Sequence, residues 1–212
     1  MEFMEKNTLL KILKVKNFTE LFAKTVSLVL NPVVILIPLP FYLIYETTGK
    51  IYPAIFWTLI SFIFIFIFFI FIVIGIKLKY FSDFDISKRK QRPILYFFAI
   101  FLVILYIISL YYFQAPKIIF IVAFALTVGL IVLQIVNNYL KASGHVATIT
   151  AFVTSMIVIH KEPYYLLGYA FVILVGWSRI KLKRHTPLEV TVGGILGIIL
   201  SIIVYIVGKQ FI

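Results

Sequence analysis

The sequence contains no cysteine, which excludes disulfide bonds and thiolate metal sites and leaves the redox compartment open. Charged residues are scarce at 13%, and acidic ones are scarcest, with 8 Asp and Glu against 20 Lys and Arg. No internal repeat or low-complexity linker is present, so we expect one domain over residues 1–212. Hydrophobic residues make up 63% of the chain, against roughly half in soluble domains. This excess, in long runs, predicts a polytopic membrane protein.

Seven apolar runs predict an all-α transmembrane bundle of about six to seven spanning helices. The runs cover about residues 25–45, 51–76, 94–113, 118–140, 146–159, 164–177 and 188–207. The fifth and sixth are short for a full crossing, and the prolines Pro32, Pro38 and Pro40 predict a kink in the first. Glycines at the start of the seventh run, Gly193, Gly194 and Gly197, should allow another helix to approach closely.

The N-terminal segment, residues 1–24, is basic and mixes leucine with lysine. It carries Glu2 and Glu5, and no short apolar run ends at a small-residue cleavage site, so we do not expect a cleavable signal peptide. The pattern over residues 8–24 fits an amphipathic helix at the membrane interface. A frayed basic tail is the alternative.

Three polar islands separate the apolar runs, at residues 77–92, 141–145 and 178–187. If all seven runs span, the islands and the N-terminus lie on one side, which then carries 16 of the 20 Lys and Arg residues. The positive-inside rule predicts that this side is cytoplasmic, in the cell membrane. We then expect the basic residues behind the net charge of +12 to bind anionic lipid headgroups or phosphate rather than nucleic acid. His160 should lie at the opposite interface.

The third island contains a histidine and a carboxylate at helical spacing. His185 and Glu189 are four residues apart, so on a helix the carboxylate can accept the Nδ1 proton and leave Nε2 as a nucleophile. Arg179 offers a planar fork suited to phosphate oxygens. The alternative interpretation is a basic loop at the membrane surface.

The second island precedes a predicted helix start. Gly144 lets the backbone approach an anion, and the helix beginning after Ser143 presents free N–H groups. His145 could donate a proton to a leaving oxygen, and Lys141 could reach the same phosphate or a lipid headgroup. The alternative is a Ser-Gly helix cap with an incidental histidine.

Together the motifs Ser178-Arg179-x5-His185-x3-Glu189, Ser143-Gly144-His145 and Arg92-Pro93 resemble the signature of the type 2 phosphatidic acid phosphatase superfamily, whose soluble relatives include vanadium haloperoxidases. The resemblance covers about residues 89–212. Ala142 stands where the family commonly has proline. Asp85 stands seven positions before Arg92, where the family has lysine.

We expect Arg89 to supply the charge of that missing lysine. If this part of the first island is helical, Arg89 lies near the face of Arg92, and Asp85 pairs with Arg89 at i+4.

The resemblance implies metal-independent hydrolysis of a phosphomonoester or diphosphate on a lipid, with no cofactor. His185 would attack phosphorus to give a phosphohistidine, Glu189 would orient His185, and His145 would protonate the departing oxygen and then activate water. The implied phosphate ligands are Arg92, Arg89, Arg179, Ser143, Gly144 and Lys141. Two other classes stay open: a catalytically inactive protein that binds anionic lipid, and a lipid transporter. Oligomeric state is not predicted.

Overall fold

The computed structural model describes residues 17–210, which are mainly helical and contain no strand within that range. The helices are α1 (Phe18–Val29), α2 (Pro32–Leu36), α3 (Leu39–Thr48), α4 (Ile51–Lys77), α5 (Arg92–Tyr112), α6 (Lys117–Asn137), α7 (Gly144–His160), α8 (Tyr169–Lys181) and α9 (Pro187–Gly208). Short 3-10 turns at Arg89–Gln91 and Pro163–Gly168 precede α5 and α8. Most of the predicted interfacial segment falls in residues 1–16, outside the described part of the chain.

The predicted all-α polytopic bundle is confirmed. Five helical stretches of the described chain are long and apolar enough to cross a membrane: Phe18–Leu36, Ile51–Lys77, Arg89–Tyr112, Lys117–Asn137 and Pro187–Gly208. Helix α7 is apolar but has 17 residues, about 25 Å. The short fifth and sixth runs thus correspond to α7 and to a 3-10 turn followed by the 13-residue α8.

The first apolar run is broken twice, as its prolines predict. Helix α1 ends at Val29, and the Asn31 side chain then caps α2 by accepting a hydrogen bond from the Val33 amide at 2.9 Å. Pro32 occupies the first turn of α2, where a missing N–H costs nothing. A second break at Pro38 separates α2 from α3.

Contacts at the two ends of α7 show the direction of the first run. Asn31 contacts His145 at 3.1 Å, whereas Tyr42 contacts His160 at 3.1 Å and Glu46 lies 3.5 Å from His160. The chain from Asn31 to Glu46 therefore runs alongside α7 from one end of the bundle to the other. The structure places His160 at the end opposite His145, as expected.

The three polar islands meet at one end of the bundle, called the island end below. Arg92 donates to the Ala142 carbonyl at 3.0 Å, which joins the first island to the second. His185 Nδ1 lies 3.0 Å from the Lys141 carbonyl, which joins the third to the second. Residues far apart in sequence are thus brought into one cluster.

Helices α7 and α9 approach each other backbone to backbone. A Cβ on Gly193 would lie 2.6 Å from the Ser143 carbonyl oxygen, and one on Gly197 would lie 2.5 Å from the Ala147 carbonyl oxygen. Only glycine fits at such distances without a shift of the neighbouring backbone. The predicted close approach is therefore present, and it holds the second and third islands together.

Candidate active site

A cavity of about 530 Å³ extends from the island end into the bundle. Its polar and charged lining includes Asn31, Asp85, Arg92, His145, Arg179 and His185, together with Ser61, Tyr96, Tyr106 and Thr148. The rest of the wall is mainly apolar and comes from α2, α3, α4, α5 and α6. The cavity therefore joins a charged head to a hydrocarbon-like interior.

His185 is held in one tautomer by its partners. Its side chain is 1% exposed, and Nδ1 lies 3.0 Å from both Glu189 Oε2 and the Lys141 carbonyl oxygen. Both partners are acceptors, so Nδ1 carries the proton and Nε2 presents its lone pair. Nε2 lies 3.5 Å from Nη2 of Arg92, which is a donor. The predicted contact of Glu189 with the Nδ1 atom of His185 is present in this arrangement.

A capping box at the start of α9 fixes the position of Glu189. The Thr186 hydroxyl accepts from the Glu189 amide at 3.3 Å, and Glu189 Oε2 accepts from the Thr186 amide at 3.1 Å. The same carboxylate oxygen also receives the imidazole proton of His185. The helix cap and the histidine therefore share one carboxylate.

The surroundings of His185 keep it neutral. Burial, followed by the charges of Arg92, Arg179 and Lys141, lowers the pKa of His185 from 6.5 to about 2. A neutral imidazole retains the Nε2 lone pair that a nucleophile needs. Burial also lowers the pKa of the Lys141 ammonium group.

His145 is oriented by Asn31. Because the Asn31 Oδ1 atom accepts from the Val33 amide, its Nδ2 atom is the one that faces His145 Nε2, at 3.1 Å. Nδ2 can only donate, so Nε2 accepts and the imidazole is in its neutral, basic form. The structure thus shows the form that can activate water.

Two buried guanidinium groups flank the histidines. Arg179 is 1% exposed, and its Nη1 donates to the Ser27 hydroxyl at 2.7 Å and lies 3.3 Å from both oxygens of Asp85. Arg92 donates through Nε to the Ile86 carbonyl at 3.1 Å and through Nη1 to the Ala142 carbonyl at 3.0 Å. These bonds fix the two positive charges beside the cavity.

The other residues predicted in the second island hold the cluster together. Ser143 is fully buried, and its hydroxyl caps α7 by accepting from the Val146 amide at 3.5 Å. Gly144 lines the cavity. The Lys141 ammonium group donates to the Arg184 carbonyl at 2.7 Å and thus connects the second and third islands.

The structure corrects the interpretation of Arg89. Its side chain is exposed and donates to the Tyr139 carbonyl at 2.8 Å, away from the cavity lining. The expected pair of Asp85 with Arg89 does not form, because the chain before Arg89 is irregular rather than helical. Asp85 instead pairs with Arg179 and Arg184.

Sequence reasoning also missed three residues of this cluster. Arg184 Nε lies 3.3 Å from Asp85 Oδ2, Ser27 binds Arg179, and Asn31 binds His145. The sequence does point to Arg184, since it directly precedes His185 in the third island. It also points to Asn31, as a polar residue inside an apolar run, whereas nothing local distinguishes Ser27.

The fold and the site define a helical membrane protein with a buried histidine–arginine pocket at one end. A family model described as the PAP2 superfamily matches residues 137–212, the part of the chain that holds α7, α8, α9 and the second and third islands. The match covers about a third of the chain, and over these residues the chain is similar to the PAP2 superfamily. Comparisons with curated proteins and with solved structures returned no significant match.

Proposed function

We propose that the protein is an integral membrane phosphatase that hydrolyses a phosphomonoester or pyrophosphate bond of a lipid through a phosphohistidine intermediate. The observation that carries the proposal is the cavity-lining His185, whose Nδ1 is held by Glu189 and whose Nε2 lies 3.5 Å from Nη2 of the buried Arg92. The similarity of residues 137–212 to the PAP2 superfamily, whose members are generally phosphatases, supports the same activity.

In the first step, His185 Nε2 forms a bond to phosphorus while the bond from phosphorus to the lipid oxygen breaks. The departing oxygen takes a proton from His145 Nε2. His145 accepts a hydrogen bond in the structure, so it must first gain this proton from the substrate monoanion or from water. Arg92 and Arg179 neutralise the charge that grows on the phosphoryl oxygens.

In the second step, neutral His145 takes a proton from a water molecule as its oxygen attacks the phosphohistidine. The nitrogen–phosphorus bond breaks, the electron pair returns to His185 Nε2, and orthophosphate leaves. Glu189 keeps accepting the Nδ1 proton throughout, which stabilises the cationic imidazole of the intermediate.

The apolar part of the cavity favours a substrate with a hydrocarbon tail. Phenylalanine and aliphatic side chains of α4 and α6, including Phe64, Phe68 and Leu130, continue from the charged head into the bundle. A water-soluble phosphate would leave this surface without a partner. The substrates that we favour are a polyprenyl phosphate or diphosphate, phosphatidate, or phosphatidylglycerol phosphate.

We place the island end on the cytoplasmic side of the cell membrane, on the basis of its excess of Lys and Arg. A single cysteine at the exposed position Lys181 tests this placement. It should resist a membrane-impermeant thiol reagent in intact cells and react once the cells are opened. Ready labelling in intact cells would contradict the cytoplasmic placement.

One observation favours a second candidate function, a catalytically inactive protein that binds or moves anionic lipid. The Asp85 carboxylate contacts Arg179 and so occupies a guanidinium group that a phosphatase would use to bind the phosphoryl oxygens. The retained contact of His185 with Glu189 favours the enzyme, because lipid binding requires charge but no oriented nucleophile.

The deciding experiment measures phosphate release from a panel of lipid phosphates by purified protein. His185→Ala should reduce release by about a thousandfold or more, as loss of a nucleophile does. The matched control is His160→Ala at the opposite end of α7, which should retain wild-type rates. If wild type and His185→Ala are equally inert, the proposal fails for those lipids. A variant that loses only lipid translocation would identify a transporter.

A further inference from the structure

An internal carboxylate lies among the groups that would hold the phosphoryl group. Both oxygens of Asp85 are 3.3 Å from Arg179 Nη1, and Oδ2 is 3.3 Å from Arg184 Nε. Asp85 Oδ1 is also 3.9 Å from His145 Nε2. The Asp85 carboxylate thus contacts Arg179 and approaches His145. The proposed function gives these two residues the tasks of binding the phosphoryl group and protonating the leaving oxygen.

A built turn holds this carboxylate in place. Asp83 Oδ1 accepts from the Asp85 amide at 3.0 Å and from the Ser87 hydroxyl at 2.9 Å. Ile86 is 1% exposed and anchors the turn at a φ of 46°. Its carbonyl accepts from Arg92 Nε. The position of Asp85 therefore follows from the backbone of the first island and is not that of a free surface side chain.

The pairing leaves part of Arg179 unused. Its Nε atom is buried and has no hydrogen-bond partner among the residues that the structure describes. Asp85 contacts Nη1 alone, so the two do not form the paired bonds that a guanidinium offers to an oxyanion. A tetrahedral phosphoryl group has more oxygens than a carboxylate and could use the remaining donor.

We propose that Asp85 is a specificity-determining residue that competes with phosphoryl oxygens for Arg179 and Arg184. Small free anions such as orthophosphate then bind weakly, because they must displace the carboxylate with no other contact to help them. A lipid phosphate displaces it because its tail binds the apolar part of the cavity as well. The assignment of Arg179 to the phosphoryl group rests on the proposed function, and Arg184 enters here through its contact with Asp85 Oδ2.

The test is equilibrium binding of orthophosphate to the purified full-length chain, measured by calorimetry or by phosphorus NMR. Asp85→Asn keeps the shape of the side chain and removes its charge, and we expect it to bind orthophosphate about tenfold more tightly than wild type, the equivalent of about 1.4 kcal/mol. The control is Glu46→Gln, which removes a carboxylate at the far end and should bind as wild type does.

Equal affinities in wild type and Asp85→Asn would overturn the inference, as would wild-type binding already tighter than about 0.1 mM. Asp85→Ser replaces the variant if Asp85→Asn is not monodisperse. The binding readout separates this inference from the proposed function. If wild type releases phosphate from lipids but Asp85→Asn binds orthophosphate no better, only the inference fails. If Asp85→Asn binds orthophosphate more tightly but wild type releases no phosphate from any lipid, the inference about Asp85 stands and the proposed phosphatase activity fails.

Discussion

Two histidine–carboxylate pairs lie at opposite ends of the bundle and differ mainly in their surroundings. His185 Nδ1 is 3.0 Å from Glu189, with side chains 1% and 14% exposed. His160 Nδ1 is 3.5 Å from Glu46, with side chains 18% and 38% exposed. The ring of Tyr165 stacks on His160 with centroids 5.0 Å apart.

The two pairs differ in the charged groups that surround each histidine. At the island end, Arg92, Arg179 and Lys141 surround the imidazole of His185 and, with burial, keep it neutral. The His160 pair has an aromatic neighbour and a hydroxyl contact from Tyr42 instead. Under the proposed function, burial among fixed cations, rather than the pair itself, would suit His185 to attack phosphorus.

Weakening the cations should make the island end behave more like the other end. Arg179→Lys keeps a charge but loses the planar fork that reaches the Ser27 hydroxyl and an anion together. We expect kcat/KM for lipid phosphate to fall about a hundredfold. Lys50→Gln, at the opposite end, is the control for loss of a base and should change kcat/KM less than twofold. A similar loss in both variants would contradict the account.

The close approach of α7 and α9, which brings the islands together, can be tested separately. Gly193→Ala places a Cβ against the Ser143 carbonyl at 2.6 Å and should destabilise the protein by about 2 kcal/mol. Gly194→Ala is the matched control, since its Cβ would meet Val146 at 3.8 Å, an ordinary contact. Thermal unfolding in detergent measures both. Equal melting temperatures for Gly193→Ala and Gly194→Ala would contradict the prediction, because α9 could then move away from Ser143 without loss of stability.

Glu189→Gln sharpens the comparison of the two pairs. Glutamine can still accept from the Thr186 amide, so the helix cap survives, but a neutral amide stabilises the cationic imidazole of His185 less. We expect kcat to fall about tenfold with KM nearly unchanged. Glu46→Gln should leave both parameters at wild-type values, and a loss of kcat in that variant would remove the distinction between the pairs.

Acid should destabilise the protein through His185. Its folded pKa of about 2 lies below the unfolded value of 6.5, so the unfolded chain binds the extra proton as the pH falls through 6.5. Between pH 7.5 and 5.5 this costs wild type about 1.4 kcal/mol that His185→Asn does not lose. Denaturant unfolding of both proteins at the two pH values measures it. Parallel pH dependence would contradict a buried neutral imidazole.

Local contacts of the site could be predicted from the sequence, and distant ones could not. The pairing of His185 with Glu189 was predicted from helical spacing and is present, but His185 lies just before the N-cap Thr186 and reaches Glu189 through the capping turn. The place of Ser143 follows from its position before a helix. The partner of Asp85 is a tertiary matter, since Arg179 is 94 residues away along the chain. Arg89 was misplaced because helical spacing was applied to a turn.

The bundle itself was predictable because apolar runs of about twenty residues have few alternatives in a membrane. The breaks at its N-terminal run were signalled by proline. The residues that line the cavity could not be predicted from the sequence, because apolar helix faces that meet lipid and those that would meet a substrate tail have the same composition.

The most direct test of the account is to trap the phosphoenzyme. Wild-type protein mixed with a radiolabelled lipid phosphate and quenched in alkali should carry an acid-labile phosphate on the peptide that contains His185. His185→Ala should carry none, while His160→Ala should be labelled as wild type is. Turnover without a labelled protein, or label that persists in His185→Ala, would contradict the central claim that His185 is the nucleophile.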